Sequence, residues 1–334
     1  MAEIGIAFQT DKPPGSYGRL AAAAEAYGFD VVSAFGDLMY QPPLPALLEM
    51  AAATSRVRLG PACLNPYTQH PAEIAGAIAA LDAASGGRAY LGLARGTWLD
   101  QIGIEQRRPL AYLRDTAIIV RKLLSGDASG YQGDAYRIAA GLRLRYRLPE
   151  RLPPLLLGTW GERGAALATE VADELKAGGS ANPELVPVLR SRIALGAGPR
   201  PVRIVLGAVT VVAEDGALAR RRARAEVAMY LAVVAGLDPA AGLPPGLIEQ
   251  VRRLVAAGDD AAAGTLIPDD VLDMFAFSGT PEHVAMLARR VLDAGADRVD
   301  FGTPHGLTDE DGVRLLGTRV LPLLSIGRLQ APAG

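Results

Sequence analysis

The 334-residue sequence predicts an α/β protein with the (β/α)8, or TIM-barrel, fold. Short apolar runs of strand length alternate with longer runs of helical periodicity, which is typical of parallel strands covered by helices. This alternation occurs eight times, more often than a doubly wound sheet usually requires. No glycine fingerprint of a dinucleotide-binding sheet follows the first strand, where the chain continues as Gln9–Gly15. We therefore predict a single barrel domain over residues 1–334.

Each predicted strand is a short apolar run bounded by glycine, proline or polar residues. In chain order the strands are Ile4–Phe8, Val31–Phe35, Val57–Leu64, Ala89–Leu93, Leu155–Leu157, Glu174–Ala177, Val202–Val212 and Val299–Gly302.

The helices follow from amphipathic spacing and from their terminal residues. Ser16 is a suitable N-cap for the first helix and Gly28 a suitable stop, while glycines 86 and 87 end the third helix. Thr280 and Pro281 suit the N-cap and first position of a later helix. The predicted helices are Ser16–Tyr27, Pro45–Thr54, Ala72–Ala84, Pro109–Leu124, Glu162–Ala172, Pro183–Leu195, Ala217–Ala235, Pro281–Ala294 and Asp309–Leu324.

Two segments interrupt the repeat. Tyr131–Ile138, after the fourth helix, has a turn at Gln132–Asp134 and predicts a small β-hairpin. Asp238–Asp273, after the seventh strand, predicts a mostly helical insertion punctuated by prolines. Both insertions would extend the barrel without adding a strand to it.

Composition limits the classes of partner and of chemistry. The formal net charge is −2 and no segment concentrates basic and aromatic residues, so we expect no nucleic-acid partner. The single cysteine, Cys63, excludes an intrachain disulfide and a cysteine-based zinc site, and three scattered histidines predict no metal centre. Neither a leader-like start nor an apolar run long enough to span a membrane occurs, so we expect a cytoplasmic protein.

The end of the third strand is the most unusual stretch. Leu59–Pro71 reads LGPACLNPYTQHP and starts as an apolar strand. Its prolines prevent the strand from continuing, because proline lacks the backbone N–H and restricts the residue before it. The pattern predicts a fixed ledge at the carboxyl end of a strand, where barrels bind their ligands. An ordinary proline-rich connection is the alternative.

Two neighbouring strand ends suit a phosphate group. Gly158–Gly161 opens directly into a helix, whose first N–H groups and dipole attract anions. Gly178–Ser180 ends the next strand in a similar way, and the alternative for both is a plain β–α turn. No nucleophile–histidine set or carboxylate cluster occurs at the strand ends, so a cofactor is expected to carry the chemistry. Candidates for proton transfer are Asp37, His70 and Asp100, although Asp37 and His70 equally suit turn-capping and helix-capping roles.

Six segments together resemble the coenzyme F420-dependent methylenetetrahydromethanopterin reductases, a branch of the bacterial luciferase-like superfamily. They occur in the family's order and cover nearly the whole chain; they are residues 59–71, 81–96 (LDAASGGRAYLGLARG), 103–115 (GIEQRRPLAYLRD), 153–161 (PPLLLGTWG), 277–284 (FSGTPEHV) and 301–306 (FGTPHG).

The resemblance implies a (β/α)8 fold and a site for the deazaflavin ring of F420. It implies a cis peptide between Ala62 and Cys63, at a bulge that supports one face of the ring. The further cofactor contacts that we predict at the strand ends are Phe8, Asn65, Gly96, Thr97, Gly158, Thr159, Trp160, Gly161 and Ser180, of which the Trp160 and Gly161 N–H groups and Ser180 would hold the phosphate.

Three positions depart from the family pattern. Ala7 stands where relatives have a glutamate, Thr97 where they usually have an acidic residue, and Leu38 where sugar-phosphate dehydrogenase relatives have a histidine. We therefore predict an F420-dependent oxidoreductase that transfers a hydride between the cofactor and a small organic substrate other than methylenetetrahydromethanopterin. The alternatives are an FMN-dependent monooxygenase and a cofactor-binding protein without turnover.

The expected assembly is a homodimer. Ala72–Ala84 and Pro109–Leu124 are alanine-rich or apolar helices that would suit a face between two copies, and the family resemblance also suggests one. A role in the protein's own core is the default alternative for these residues.

Overall fold

The computed structural model describes residues 2–326, and it contains both barrel strands and peripheral strands. In chain order the strands are β1 (Glu3–Phe8), β2 (Val31–Ala34), β3 (Arg58–Pro61), β4 (Leu91–Ala94), β5 (Tyr131–Gln132), β6 (Arg137–Ile138), β7 (Leu155–Gly158), β8 (Glu174–Gly178), β9 (Arg203–Val212), β10 (Ala276–Gly279) and β11 (Arg298–Gly306).

The helices cover the outside of the barrel and one side of its mouth. They are α1 (Ser16–Tyr27), α2 (Pro43–Ala53), α3 (Pro71–Ser85), α4 (Pro109–Leu124), α5 (Glu162–Val171), α6 (Leu185–Ala194), α7 (Gly216–Val234), α8 (Leu247–Ala256), α9 (Asp260–Thr265), α10 (Asp269–Phe275), α11 (Pro281–Asp293), α12 (Asp309–Leu315) and α13 (Leu321–Ile326). A π-helical turn, Leu316–Val320, joins the last two.

Eight parallel strands form the barrel, in the order β3-β2-β1-β11-β9-β8-β7-β4. Two parallel bridges, Leu59 to Ala89 and Leu64 to Leu93, connect β3 to the β4 side and close the ring. Both the predicted fold and each of the eight predicted strands are confirmed. Because all eight strands run in one direction, their carboxyl ends meet at one rim of the barrel.

Both predicted insertions are confirmed, and one further strand follows the second of them. β5 and β6 form the antiparallel hairpin, and α8, α9 and α10 occupy the predicted helical insertion. β10 was not predicted from the sequence; it directly follows α10 and pairs in parallel with the upper half of β9. β10 has no turn residue before it, so its four residues could not be separated from the helix by pattern alone.

No helix among residues 2–326 meets the length and hydropathy needed to cross a membrane. The cellular compartment and the homodimer stay predictions.

The inside of the barrel carries charged side chains. Arg298 of β11 is fully buried and donates to both carboxylate oxygens of Glu174, at 2.9 and 2.7 Å, and to Asp300 at 2.9 Å. Lys176 of β8 donates to the other oxygen of Asp300 at 2.7 Å. Burial acts to raise the pKa of Asp300, but the adjacent Arg298 and Lys176 outweigh it and hold that pKa below its usual range.

Glycines on neighbouring strands make room for these charges. A Cβ atom on Gly5 would overlap the carboxylate of Asp300, and one on Gly207 would lie 3.1 Å from Cε of Lys176. Since side chains from adjacent strands meet at the same level of a barrel, large charged residues need small neighbours there. The sequence of β1 and β9 therefore permits the ion pairs of β8 and β11.

We predict that Arg298→Ala lowers the free energy of unfolding by about 3–5 kcal/mol, because it leaves Glu174 and Asp300 buried with fewer cationic partners. Urea denaturation followed by circular dichroism would measure the change. Arg147→Ala, which breaks the exposed pair with Glu150, is the matched control and should change stability by less than about 0.5 kcal/mol. Equal effects of the two substitutions would contradict a structural role for the buried network.

Candidate active site

A cavity of about 550 Å³ opens at the carboxyl ends of the barrel strands. The loops after β1, β2, β3, β4 and β7 form its walls, and side chains of α7 cover one side. This volume is typical of pockets that hold a cofactor or small ligand. The predicted position of the site, at the rim of the barrel, agrees with this cavity.

The ledge after β3 forms one wall of the cavity. The peptide bond between Ala62 and Cys63 is cis, which confirms the geometry implied by the family resemblance. The ledge is bonded on both sides: the N–H of Ala62 donates to the carbonyl of Ala34, and the N–H of Leu64 donates to that of Gly92, both at 2.9 Å. The backbone here is thus held between β2 and β4.

Two glycines allow this close approach. A Cβ atom on Gly36 would overlap the carbonyl oxygen of Cys63, and one on Gly92 would overlap the carbonyl oxygen of Pro61. Burial raises the pKa of the Cys63 thiol to about 12, which leaves it protonated near neutral pH. The Cys63 side chain is therefore a packing group, while the backbone around it shapes the wall.

Asn65 fixes the chain just beyond the ledge. Its Oδ1 accepts hydrogen bonds from the N–H groups of Tyr67 and Thr68, at 3.1 and 3.0 Å. Gly96 packs against it, since a Cβ at Gly96 would lie 3.1 Å from the Asn65 side chain. Gln106 donates to the Gly96 carbonyl at 3.0 Å and thereby holds the loop that carries Thr97.

The turn after β7 presents unused backbone donors. The N–H of Thr159 donates to the carbonyl of Lys176 at 3.1 Å, whereas those of Trp160 and Gly161 have no acceptor within residues 2–326. Gly161 is the N-cap of the ten-residue helix α5, and a Cβ placed on it would meet nothing within 4 Å. Arg192 of α6 donates to the Trp160 carbonyl, which brings a cation beside the turn. Free donors, open space and positive charge together suit a phosphate.

Asp37, just after β2, lines the cavity beside the ledge, since the preceding Gly36 packs against the Cys63 carbonyl. Its Oδ2 accepts a hydrogen bond of 2.9 Å from Nε2 of Gln9, whose own Oε1 accepts from the Thr10 N–H. Burial raises the pKa of Asp37, and the bond from Gln9 offsets only part of that rise. A carboxyl group with a raised pKa in a cavity is suited to general acid–base chemistry.

Helix α7 places a polar face toward Asp37. Glu226 and Tyr230, one turn apart, both line the cavity, and burial raises the pKa of the Glu226 carboxyl. The Tyr230 ring also contacts Trp98 from the loop after β4, with ring centroids 5.7 Å apart. The cavity lining therefore includes a pair of aromatic rings and two carboxyl groups, Asp37 and Glu226.

The predicted site residues fall into three groups. The structure brings eight of them together on the cavity wall: Asp37, Ala62, Cys63, Asn65, Gly96, Thr97, Gly158 and Trp160. Thr159 and Gly161 belong to the phosphate-suited turn without lining the cavity. Four others lie elsewhere: Phe8, Ser180, His70 and Asp100.

Each of these four has another environment. Phe8 is fully buried and packs on His305, with ring centroids 4.9 Å apart. Ser180 is also fully buried, and its hydroxyl oxygen accepts from the N–H of Asn182 at 3.1 Å. Nδ1 of His70 caps α3 by accepting from the Ala72 N–H at 3.1 Å, and Asp100 is exposed in a short 3₁₀ turn.

Lys176, Glu226 and Tyr230 also line the cavity, and none of them was predicted from the sequence. One of the three, Lys176, had a readable signal. Lys176 and Glu174 alternate with apolar residues in a strand, which indicates charges on one face of it. Glu226 and Tyr230 repeat at helical spacing, but nothing in the sequence says that this face of α7 turns toward the cavity.

The fold is a (β/α)8 barrel, and its candidate ligand site is the cavity lined by the ledge after β3 and the turn before α5. The chain belongs to the luciferase-like monooxygenase family, whose model matches residues 2–298. The resemblance to that superfamily is thus confirmed.

The individual relatives described next share less than a third of their aligned residues with this chain. The chain is 27% identical to a 5,10-methylenetetrahydromethanopterin reductase of Methanolobus tindarius, over 95% of this chain and 99% of the relative. It is 28% identical to an F420-dependent glucose-6-phosphate dehydrogenase of Nakamurella multipartita, over 93% of each chain. The solved structure of the coenzyme F420-dependent tetrahydromethanopterin reductase of Methanopyrus kandleri superposes with a TM-score of 0.88 at 24% identity, over 96% of this chain and 99% of that one.

We predict that Gln9→Leu raises the pKa of Asp37 further, because it removes the hydrogen bond that favours the ionised carboxylate. The folded state already holds this pKa above the value of the unfolded chain. Asp37 therefore stabilises the fold below the unfolded pKa, and this contribution is lost as pH rises through the folded pKa.

Carboxyl-selective NMR titration would measure the Asp37 pKa directly. Asp37→Asn should flatten the pH dependence of stability above pH 3.8, the ordinary value for this carboxyl. Gln132→Leu, at an exposed glutamine of the hairpin, is the control and should leave the Asp37 titration unchanged. An Asp37 pKa that falls in Gln9→Leu would contradict the assignment.

Proposed function

We propose that the protein is an F420-dependent oxidoreductase that transfers a hydride between the deazaflavin cofactor and a small organic substrate. The observation that carries the proposal is that the backbone ledge at Ala62 and Cys63 and the turn at Trp160, with its free N–H groups, line one cavity. The F420-dependent activities in the names of two relatives support the choice of cofactor.

The residues present fit such a group. A flat ring needs a smooth wall, and the ledge offers backbone atoms and a neutral thiol there. A ribityl phosphate needs donors and room, and the turn before α5 offers both, with Arg192 beside it. When bound, F420 would give or take a hydride at a carbon of its central ring.

The chain must then supply a proton. Ala7 and Thr97 carry no ionisable group, so among the cavity residues near the ledge we assign proton transfer to Asp37. Its raised pKa keeps a larger protonated fraction available at neutral pH than an ordinary aspartate would have. Reduction of a C=C, C=N or C=O bond would take the hydride from the cofactor and the proton from Asp37.

The cavity mouth suggests the kind of substrate. Trp98 and Tyr230 contact each other in the cavity lining, and Met39, which is 71% exposed, lines the same cavity. Apolar and aromatic side chains at a mouth favour a substrate with an apolar or aromatic portion. We therefore propose a small, partly apolar acceptor, distinct from methylenetetrahydromethanopterin.

Titration of the purified protein with F420 and, separately, with FMN tests the proposal. Binding is followed by the change in cofactor fluorescence, and turnover by oxidation of reduced F420 with candidate acceptors. FMN binding without F420 affinity would favour the monooxygenase suggested by the family description. F420 binding without turnover on any acceptor would favour a cofactor-binding protein.

We predict that Gly161→Val weakens F420 binding by at least about tenfold, or about 1.4 kcal/mol, because the new side chain fills the open space beside the free N–H groups. Gly161 has φ −79° and ψ 158°, a conformation that valine adopts readily, so the fold should be unaffected. Thermal unfolding verifies this.

Glu162→Gln provides a contrast at the next residue. It removes an exposed negative charge from the first turn of α5 and should tighten binding slightly. Unchanged affinity in Gly161→Val would show that the phosphate lies elsewhere.

We predict that Asp37→Asn lowers kcat by about 10²–10⁴-fold, the usual contribution of a general acid, while F420 affinity stays within about twofold. In the wild type, the rate of substrate reduction should fall as pH rises through the raised pKa of Asp37. Stopped-flow oxidation of reduced F420 over a pH series measures both. Full activity in Asp37→Asn would assign the proton to another group.

A further inference from the structure

Lys176 is a buried cation on the floor of the cavity. Its side chain is only 7% exposed, yet it lines the cavity beneath the ledge. Nζ donates to Oδ2 of Asp300 at 2.7 Å, and within residues 2–326 it makes no other side-chain hydrogen bond. A lysine ammonium has three N–H groups, so the floor retains donor capacity for a bound molecule.

The network to which Lys176 belongs has an excess of positive charge. Four cations face three carboxylates along the barrel interior and its lower end; the cations are Arg58, Arg203, Arg298 and Lys176, and the carboxylates are Glu3, Glu174 and Asp300. Arg58 and Arg203 are partly exposed at the lower end, where water screens them. Lys176 and Asp300 both line the cavity, and Lys176 is the cation of the network that does so, so an anion bound beside its amine would compensate the excess.

The neighbouring Cys63 and Asp37 do not use the remaining N–H donors of Lys176. Cys63, the nearby thiol, is held neutral by burial, and Lys176 is the charged group that most opposes this rise in its pKa. Asp37 accepts its hydrogen bond from Gln9 and not from Lys176. Among the described side chains, Asp300 is thus the carboxylate that contacts the amine, and Asp300 also serves Arg298.

Glycines on both neighbouring strands place the lysine under the ledge. Gly158 of β7 is paired with Lys176 in the sheet, and a Cβ on Gly158 would lie 3.4 Å from Sγ of Cys63. On the other side, the stem of Lys176 lies across Gly207. The amine therefore lies below the wall against which we place the cofactor ring.

We propose that Lys176 binds the negatively charged pyrimidinedione edge of reduced F420, so that the cavity holds the reduced cofactor more tightly than the oxidised one. The inference rests on the proposed function. Reduction concentrates negative charge on N1 and the adjacent carbonyl of that ring, whereas the charge of the oxidised ring is spread over the whole ring system. A cation in a site shielded from water distinguishes the two distributions strongly.

The test compares affinities for oxidised and reduced F420 in wild type and Lys176→Met, by anaerobic titration. Methionine preserves the length of the side chain, and Asp300 keeps its partner Arg298. We expect affinity for oxidised F420 within about twofold of wild type and affinity for reduced F420 about tenfold weaker. A tenfold loss of affinity for reduced F420 alone would lower the reduction potential of F420 bound to Lys176→Met by about 30 mV relative to wild type, for a two-electron couple.

A second variant tests the sign of the effect. Asp300→Asn removes the carboxylate that neutralises Lys176, so it should increase the preference for reduced F420. Lys122→Met is the matched control, since that amine pairs with Asp127 away from the cavity, and it should change neither affinity.

The possible outcomes separate the two proposals. An unchanged ratio in Lys176→Met, equal weakening of both forms, or a reduced preference in Asp300→Asn would overturn the role of Lys176. Each of these can occur while the wild type binds F420, so the proposed function would stand. Absence of F420 binding by the wild type would instead overturn the proposed function, and this inference with it.

Discussion

The ion pairs across the barrel interior are the constraint on which the architecture depends. Arg298 joins Glu174 of β8 to Asp300 of its own strand, and Lys176 extends the network to the cavity floor. Charges removed from water are tolerated only when they are paired with good geometry. Strands β8 and β11 must therefore keep their positions relative to each other, although β9 lies between them. These ion pairs stabilise the lower barrel, and through Lys176 and Asp300 they also set the charge at the floor of the cavity.

The cavity divides its tasks between backbone and side chains. One wall uses main-chain atoms, because the ledge after β3 and the turn before α5 present peptide groups and open space. Another part of the lining uses side chains, with Asp37 held by Gln9, and with Glu226 and Tyr230 of α7. A wall made of backbone can accommodate a common cofactor, whereas a wall made of side chains can change with the substrate. This division is consistent with one barrel serving several activities.

The eight-fold alternation of strands and helices made the barrel predictable, because it depends on local periodicity. The position of the ledge was also predictable, because its prolines prevent the third strand from continuing. β10 escaped because four residues after a helix carry no distinctive pattern. The cavity-facing roles of Glu226 and Tyr230 escaped for another reason: the side of α7 that turns inward depends on how the insertion packs, which is long-range information. His70 shows the converse, since its capping role was recognised as an alternative from Pro71 alone.

The contact between Gly5 and Asp300 has a consequence for how this chain can diverge. No other residue fits at position 5 while the carboxylate is present, and loss of that carboxylate leaves Arg298 and Lys176 without a shared partner. Neither Gly5 nor Asp300 can therefore be replaced by a single substitution without disturbing the buried ion pairs. Descendants that exchange the charged interior for an apolar one would have to change several positions on β1, β8 and β11 together. The barrel floor is thus expected to separate lineages of the family in discrete steps, whereas the loops at its mouth can vary gradually.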